Sequence, residues 1–262
     1  AEYVDAALTS LCRQTRMPSE LIVVLDGPVA DELRDLVLKF SAEAPFPTTI
    51  VDQEENQGLG PALQAAMDVA THEWVARMDA DDISLPDRFE RQCAFLAAHP
   101  TVDLLGGMIE EFSDDNASLL LRREVPQDHD DIVRFMRFRN PMNHVTVMFR
   151  KSAALKAGGY REFPLFEDYD LWARFVATGC KLANLPDTLV RVRTGQNMYG
   201  RRGGIAYALN ELRLQKELRR QGITTPLQSL RNTAIRVGGK IVPMQVRALA
   251  YRVLLRSRAS AA

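Results

Sequence analysis

The stretch W-V-A-R-M-D-A-D-D-I-S-L-P-D-R-F-E-R, residues 74–91, decides the fold that we predict for this chain. It begins with a short, mostly apolar run, Trp74–Met78, which is typical of a buried strand. Three carboxylates follow within four positions, at Asp79, Asp81 and Asp82. An amphipathic helix is predicted from Asp87, directly after Pro86, because proline is tolerated where a helix begins. The stretch therefore predicts a strand, an acidic loop and a helix in succession.

The acidic loop suggests a site for a divalent cation. Residues two apart in an extended chain point to the same side, so Asp79 and Asp81 can face one ligand together. Two carboxylates that close repel each other unless a cation lies between them. Oxygen ligands without a nearby His or Cys suit Mg²⁺ or Mn²⁺. A solvated acidic turn, with Ser84 or Asp82 capping the helix, is the alternative.

Strands and helices alternate on both sides of this stretch. Predicted strands cover residues 21–25, 48–51 and 74–78, and predicted helices cover residues 2–15, 31–42 and the segment after Gly60. Such alternation predicts an α/β fold: a mostly parallel, Rossmann-like sheet with helices on both faces. Ligands of such sheets bind beyond the carboxyl ends of the strands. That rule selects three loops: Asp26-Gly27, Asn56–Gly60 and Asp79–Asp82.

The Gly-rich loop Asn56–Gly60 is ambiguous by itself. It matches neither G-x-G-x-x-G nor G-x-x-x-x-G-K-[ST], so we do not interpret it as a Rossmann or P-loop phosphate cradle. A tight connection between elements and a ligand-binding loop are equally compatible with its composition.

The second half of the chain carries further candidate residues. We predict strands over 102–112, 145–149 and 188–192, a turn over 114–116 and a helix over 128–137. Asn143 and His144 would lie at the mouth of the strand 145–149, although a lone histidine is more often a hydrogen-bonded core residue than a working group.

A second acidic cluster, F-E-D-Y-D-L-W over residues 166–172, begins an amphipathic helix. Acidic residues in a first helical turn are favoured by the helix dipole alone. The same position can also hold a carboxylate base against a substrate hydroxyl. Further along, Arg193, Arg201 and Arg202 suit either a diphosphate clamp or a solvated basic loop.

Composition limits the class of protein. The 262 residues are 46% apolar, which suits one large globular domain or a domain with an appendage. Three cysteines without metal or redox spacing favour a reducing cytoplasm. We expect neither a signal peptide nor a membrane-spanning helix, since no apolar run approaches the length that a bilayer requires.

The charge is distributed unevenly along the chain. Residues 1–190 contain 18 Lys/Arg and 32 Asp/Glu, whereas residues 191–262 contain 15 Lys/Arg and only Glu211 and Glu217 as acids. An apolar stripe from Val246 to Leu254 is flanked by arginines, which favours a helix lying in an anionic membrane interface. A tail packed on the domain, or a helix at a dimer interface, is the alternative. Nucleic-acid binding is not expected, because the tail lacks interleaved aromatic residues.

Taken together, the motifs resemble family 2 glycosyltransferases of GT-A fold. The matching stretches are L-I-V-V-x-D-G (21–27), N-x-G-L-G-x-A-L (56–63), D-A-D-D-x-x-x-P-D-R-x-x-x-Q (79–92) and G-G-Y…E-D-Y-D-L-W (158–172). R-N-P-M-N-H-V-T-V-M-F-R (139–150), A-N-L-P-D (183–187) and V-R-V-R-T-G…R-R-G-G (190–204) are similar to bacterial enzymes of amylovoran- and colanic-acid-type exopolysaccharide assembly. The resemblance covers about residues 2–215 and implies a GT-A domain over 1–200, followed by a basic helical extension over 201–262.

The resemblance implies inverting transfer of a hexose from a nucleotide diphosphate sugar, usually a uridine one, to a growing polysaccharide. The acceptor would be polyprenyl-diphosphate-linked, and the enzyme would be cytoplasmic and peripheral on the inner face of the cytoplasmic membrane. The implied catalytic base is Asp168. The implied donor-binding residues are Asp26, Asn56, Gly58, Asp79, Asp81 and Arg193, with Asp81 and Asp79 also binding Mn²⁺ or Mg²⁺. The implied acceptor side consists of Asn143, His144 and Glu167.

Two features depart from the family pattern. Family members begin with a strand that ends in P-x-Y-N or similar, and no counterpart precedes Glu2, so we expect donor binding to lack that contribution. Leu25 also replaces the first of two acids that usually precede the glycine of the second strand's motif. A sugar-phosphate nucleotidyltransferase and a non-catalytic sugar-nucleotide- or glycan-binding subunit are the alternative functions.

Overall fold

The computed structural model describes residues 1–113, 116–194 and 205–241. Contacts along the chain divide it into two compact units, Ala1–Gly195 and Gln196–Ala262. No helix in the described ranges is both long and apolar enough to cross a bilayer.

The first unit contains α-helices and β-strands in alternation. Its helices are α1 (Glu2–Cys12), α2 (Asp31–Glu43), α3 (Leu59–Val69), α4 (Arg88–Ala98), α5 (His129–Met136), α6 (Lys151–Lys156) and α7 (Glu167–Ala177). Its strands are β1 (Leu21–Asp26), β2 (Thr48–Gln53), β3 (Trp74–Ala76), β4 (Ile83–Ser84), β5 (Leu104–Ser113), β6 (Asn116–Arg123), β7 (Met148–Arg150) and β8 (Leu182–Arg193). The predicted α/β class is confirmed.

The strands form two sheets, and the larger one is mixed. β1 and β2 pair in parallel, with Leu21 opposite Thr48. The larger sheet has the order β3-β7-β5-β8-β4, with β6 paired to β5. Within it β5 and β8 run parallel, whereas the other described pairings are antiparallel. The expectation of a mostly parallel sheet was therefore wrong, because apolar runs predict strands but not the direction of their neighbours.

The predicted strand over residues 145–149 was also wrong in its first half. A 3-10 helix covers His144–Thr146, and only Met148–Arg150 forms a strand. The Thr146 hydroxyl donates to the Asn143 carbonyl at 2.7 Å, which favours a tight turn over an extended chain. The turn predicted at 114–116 falls largely outside the described residues.

Two groups of apolar side chains hold the unit together. The main core joins the large sheet to α4 through Phe89, Leu105, Ile109, Leu189 and Val190, all buried. An aromatic cluster packs beside it around Trp172, which is fully buried. Its rings are those of His144, Phe149, Tyr160, Trp172 and Phe175.

The second unit contains α8 (Ile205–Arg220) and α9 (Pro226–Ile241). Glu211 is completely buried and accepts hydrogen bonds from Arg236 at 2.8 Å and from Gln215 at 3.0 Å. Arg236 of α9 therefore neutralises the buried acid of α8. The predictions made for Arg201 and Arg202 and for the stripe from Val246 to Leu254 lie outside the described residues.

Candidate active site

The first strand ends in a carboxylate that organises the Gly-rich loop. Asp26 accepts the backbone N–H groups of Gln57 at 2.7 Å and Gly58 at 3.0 Å, one on each oxygen. The Asn56 side chain donates in return to the Asp26 carbonyl at 3.1 Å. Gly27 has a φ of 89°, and a Cβ there would lie 2.6 Å from the Asn56 nitrogen, so only glycine permits this approach. The structure thus brings together two of the three predicted loops.

The helix that follows this loop reaches the second acidic cluster. A Cβ on Gly60, in the first turn of α3, would lie 3.6 Å from the Cβ of Glu167 and would clash with the carbonyl oxygen of Arg161. The first turns of α3 and α7 are therefore in close contact, which places Glu167 and Asp168 on the same side as the Gly-rich loop.

The acidic loop forms a compact cluster of three carboxylates. Asp79, Asp81 and Asp82 each offer an oxygen, and these oxygens lie within 4.8 Å of one another. Asp82 is buried because it directly precedes β4, and its Oδ1 accepts the backbone N–H of Arg193 at 3.0 Å. Its Oδ2 is buried and has no hydrogen-bond partner in the part of the chain that the structure describes.

The electrostatics of this cluster are unfavourable without a cation. Burial, and then the charge of Asp79, raise the pKa of Asp82 to about 7. Partial burial of the carboxylate, followed by repulsion from Asp79, raises the pKa of Asp81. Three close carboxylate oxygens and one unpartnered buried oxygen fit a divalent cation with hard oxygen ligands. The residues present thus fit the cofactor predicted from the sequence.

The charge of Arg77 acts on both acidic clusters. The residue is 6% exposed and forms an ion pair with Asp79 through Nη2, whereas its Nε and Nη1 are buried with no partner among the described residues. Its positive charge lowers the pKa values of four other carboxyl groups. These belong to Asp81, Asp82, Glu167 and Asp168. Both clusters therefore lie within the electrostatic influence of this one guanidinium.

The second cluster occupies the first turn of α7. Asp168 accepts the Tyr169 backbone N–H at 2.7 Å and the Asn140 side-chain amide at 2.5 Å. Burial is the largest influence on Asp168 and raises its pKa. Burial and the neighbouring Asp168 also raise the pKa of Glu167, to about 7. Leu165, with a φ of 73°, turns the chain into this helix in a conformation that is strained for a side chain of its size.

Asn143 and His144 both form hydrogen bonds within the fold. The Asn143 side chain is buried and donates to the Gly107 carbonyl at 2.9 Å. His144 pairs with the Tyr160 hydroxyl at 2.9 Å and meets the edge of Trp172. Burial lowers the pKa of His144 well below its usual value, so its imidazole is neutral. The structure thus gives both residues the hydrogen-bonded environment of core residues.

Arg193 reaches the acidic loop from the end of β8. Its guanidinium packs over the rings of Tyr3 at 4.2 Å and Phe112 at 4.8 Å. Its Nε donates to the Asp81 carbonyl at 3.4 Å. The stacked guanidinium of Arg193 therefore adjoins the acidic cluster. A negatively charged ligand of a metal ion bound there would lie close to this guanidinium.

A buried network on α4 ties the acidic loop to the 3-10 helix. Arg88, completely buried, donates to the Arg77 carbonyl at 2.7 Å and to the Gln92 side chain at 3.2 Å. Gln92 donates in turn to the Thr146 carbonyl at 2.8 Å. Arg88 and Gln92 lie one helical turn apart, so one face of α4 fixes both loops.

Sequence reasoning missed Arg77, Asn140, Arg88 and Gln92. Arg77 was a single charge in an otherwise apolar strand, which is the signal that could have identified it, since a buried charge requires partners. Arg88 and Gln92 could have been recognised as polar residues at a spacing of four on the apolar face of a helix. Asn140 carried no signal beyond its place in the quoted stretch.

Comparison with known proteins agrees with this geometry. The sequence profile described as Glycosyl transferase family 2 matches residues 1–159. The chain is 40% identical over 215 residues to the amylovoran biosynthesis glycosyltransferase AmsE of Erwinia amylovora, covering 82% of this chain and 79% of that protein. It is 30% identical over 254 residues to the UDP-Gal:alpha-D-GlcNAc-diphosphoundecaprenol beta-1,3-galactosyltransferase of Escherichia coli, covering 97% of this chain and 91% of that protein.

A solved structure shares the fold at low sequence identity. The mannosyltransferase PcManGT of Pyrobaculum calidifontis, in complex with GDP-Man and Mn²⁺, superimposes with a TM-score of 0.63 at 16% identity, covering 98% of this chain and 77% of that one.

Proposed function

The chain belongs to glycosyl transferase family 2, and we propose that it is a metal-dependent, inverting enzyme that moves a hexose from a UDP-sugar to a lipid-linked saccharide. The observation that carries the proposal is the placement of two acidic clusters around one buried guanidinium. The cluster Asp79–Asp82 fits a cation and the diphosphate that it would bind, and Asp168 offers a base that the charge of Arg77 also reaches.

The donor side of the proposed site follows from the loops that the structure joins. Asp81 and Asp79 would hold Mn²⁺ or Mg²⁺, which stabilises negative charge on the departing diphosphate. Arg193 would contact the diphosphate beside them. Asp26, Asn56 and Gly58 would form the nucleotide side, because the carboxylate of Asp26 fixes the loop that would flank the base.

The transfer itself needs one base. The acceptor hydroxyl gives its proton to an oxygen of Asp168 while its own oxygen attacks C1 of the hexose. The bond between C1 and the diphosphate oxygen breaks as the new bond forms, with inversion at C1. Glu167 lies next to Asp168 and would face the acceptor, with Asn143 and His144 supporting that side from below. The charge of Arg77 favours the ionised form of Asp168 that this step requires.

The acceptor class is inferred from a relative and from the charge of the last part of the chain. The name of the Escherichia coli relative specifies a diphosphoundecaprenol substrate, and that relative matches along 97% of this chain. The basic residues after 190 suit contact with an anionic membrane that would present such an acceptor. We therefore propose a polyprenyl-diphosphate-linked saccharide, met at the inner face of the cytoplasmic membrane by the region that begins near residue 201.

The test is UDP release from a panel of UDP-sugars, with a polyprenyl-diphosphate-linked saccharide as acceptor and with Mn²⁺, Mg²⁺ or EDTA. We expect turnover of one donor, loss of turnover in EDTA, and a loss of at least about hundredfold in Asp81→Ala and Asp168→Asn. Asp87→Asn is the matched control, because Asp87 lies in the same segment and pairs with the exposed Arg91.

Binding of Mn²⁺, followed by its electron paramagnetic resonance signal, separates the two acidic clusters. Asp81→Ala should lose the bound signal, whereas Asp168→Asn should keep it. Turnover that persists in EDTA would contradict the metal assignment, and full activity of Asp168→Asn would contradict the base.

A further inference from the structure

Asn140 contacts Asp168 from a separate part of the chain. It lies between α5 and the 3-10 helix, directly before Pro141. Its Nδ2 donates to Asp168 Oδ2 at 2.5 Å, across 28 residues of sequence. The adjacent Tyr169 N–H donates to the other oxygen, Oδ1, at 2.7 Å. Asn140 therefore contributes a hydrogen bond from a distant part of the sequence, and this bond limits how the carboxylate rotates relative to the rest of the site.

The orientation of the Asn140 amide is itself determined. Its Oδ1 accepts the backbone N–H of Met142 at 3.2 Å. A flipped amide would present an NH₂ group to that N–H and an oxygen to the carboxylate, so both contacts would become repulsive. The NH₂ group must therefore face Asp168. The Met142 N–H thus determines that the NH₂ group of Asn140, and not its oxygen, faces Asp168.

In addition to the Asn140 amide, several charged groups act on Asp168. Arg77, beside the acidic loop, and Arg123, from β6, favour its ionised form. Glu167 lies beside it on the same helix, and the charge of Asp168 raises the pKa of Glu167. Burial opposes ionisation most strongly, and the Asn140 hydrogen bond is the largest influence that counteracts it. Removing this hydrogen bond would therefore raise the pKa of Asp168 further.

We propose that Asn140 is a positioning residue for the transfer reaction: its amide, oriented by the Met142 N–H, holds the Asp168 carboxylate in one rotamer and in its ionised form. The proposal rests on the proposed function, in which Asp168 is the base. Asn140 exchanges no proton and touches no reacting atom. Its effect is transmitted through Asp168.

The test compares the pH dependence of kcat, at saturating donor and acceptor, for the wild-type protein, Asn140→Ala and Asn140→Asp. Asn140→Asp retains an acceptor for the Met142 N–H but replaces the donor that faces Asp168 with a like charge. We expect the acidic limb of the profile to move upward by about one pH unit in Asn140→Ala and further in Asn140→Asp. Below the acidic limb kcat of Asn140→Ala should fall by up to about tenfold, and on the plateau at higher pH it should recover largely, with KM for the donor nearly unchanged.

Asn184→Ser is the matched control. The Asn184 side chain donates to the carbonyls of Pro126 at 2.6 Å and Pro141 at 3.2 Å, so it anchors the same loop without touching Asp168. We expect this variant to unfold at lower urea concentration while its acidic limb stays at the wild-type pH. An equal shift of the limb in Asn184→Ser and Asn140→Ala would overturn the proposal, because loop integrity would then explain both.

The outcomes also separate this proposal from the proposed function. A limb that disappears in Asp168→Asn but does not move in either Asn140 variant would overturn the positioning role alone. Unchanged transfer by Asp168→Asn would overturn the base, and the role of Asn140 with it. A limb that moves in both Asn140 variants, and not in Asn184→Ser, supports the proposal.

Discussion

Arg77 and Arg174 are both buried arginines paired with an aspartate, yet their surroundings differ. Arg174 donates through Nε at 3.0 Å and Nη2 at 2.8 Å to one oxygen of Asp170, and through Nη1 to the Ala157 carbonyl. Each of its three nitrogens has an acceptor. Arg77 reaches Asp79 through Nη2 alone, and its Nε and Nη1 are buried without a partner in the described part of the chain.

This difference separates a structural ion pair from a group at a reactive site. Buried polar atoms in folded proteins are nearly always hydrogen-bonded, so incomplete pairing requires an explanation. Around Arg174 the fold satisfies the guanidinium completely. Around Arg77 the fold gathers several carboxylates near one guanidinium. Two nitrogens of that guanidinium have no hydrogen-bond partner in the described part of the chain. Such local conflict is expected where ligand binding or catalysis, rather than stability, determines the arrangement.

The largest effect on stability should come from Arg174→Met. This change leaves Asp170, which is 1% exposed, as an unpaired buried charge, so the free energy of unfolding should fall by about 3–5 kcal/mol. Urea denaturation measures this loss. The double variant Asp170→Leu with Arg174→Met should recover most of it, because no charge is then left buried. A loss below about 1 kcal/mol in the single variant would contradict the structural role of the pair.

Arg77→Met should reduce stability only slightly and activity strongly. The Asp79 side chain is 37% exposed and can be solvated when its partner is lost, so we expect a loss of stability of at most about 1–2 kcal/mol. The value of kcat should nevertheless fall about hundredfold, because the charge that favours ionised Asp168 is removed. Arg77→Lys, which keeps the charge, should lose less activity. The comparison between the two arginines fails if Arg77→Met unfolds as readily as Arg174→Met.

Glu167 allows a test of how burial acts on the acids around Arg77. Its pKa is raised from 4.5 to about 7, so between these values the folded protein retains a proton that the unfolded chain releases. The free energy of unfolding therefore decreases as pH rises through this window and stays low above it. Glu167→Gln should remove this contribution and be more stable than the wild-type protein at pH 8 by about 1–3 kcal/mol.

Urea titrations at several pH values measure the effect of Glu167→Gln. Glu162→Gln, an exposed acid close in sequence, is the control and should give no gain in stability at pH 8. A Glu167→Gln variant that is less stable than the wild-type protein at pH 8 would show that the site compensates the buried charge more fully than we infer.

The smallest effect is expected for an exposed pair. Arg34 and Asp52 form a bidentate ion pair, with side chains 36% and 47% exposed. Solvent and salt screen such a pair, so Arg34→Ala should leave the urea midpoint unchanged within experimental error. A clear shift of the midpoint would show that exposure alone does not rank the ion pairs of this protein.

The sequence predicted the elements of the site better than their arrangement. The position of Asp26 at a strand end and of Asn56–Gly58 in a loop followed from apolar runs and glycines, and the structure joins the two through backbone hydrogen bonds. The class of fold also followed from local patterns. Strand direction did not, because it depends on contacts between distant segments, as the mixed sheet demonstrates.

The polar supports of the site were hidden for a different reason. Arg77 and Asn140 acquire their roles only when α7 is placed next to the acidic loop and the loop before Pro141. Periodicity identifies which residues are buried but not which polar atoms meet inside the fold. The 3-10 helix His144–Thr146 was missed because a side-chain hydrogen bond, rather than backbone propensity, determines its turn.

The network on α4 has a consequence for insertions and deletions. Arg88 and Gln92 hold the Arg77 and Thr146 carbonyls from one helical turn. One residue added between them would rotate the second side chain by about 100° and advance it by about 1.5 Å, so both loops could no longer be held at once. The length of this single turn is thus fixed by the two loops it serves, whereas the exposed turn after Ala98 has no such constraint and is where changes in chain length should be tolerated.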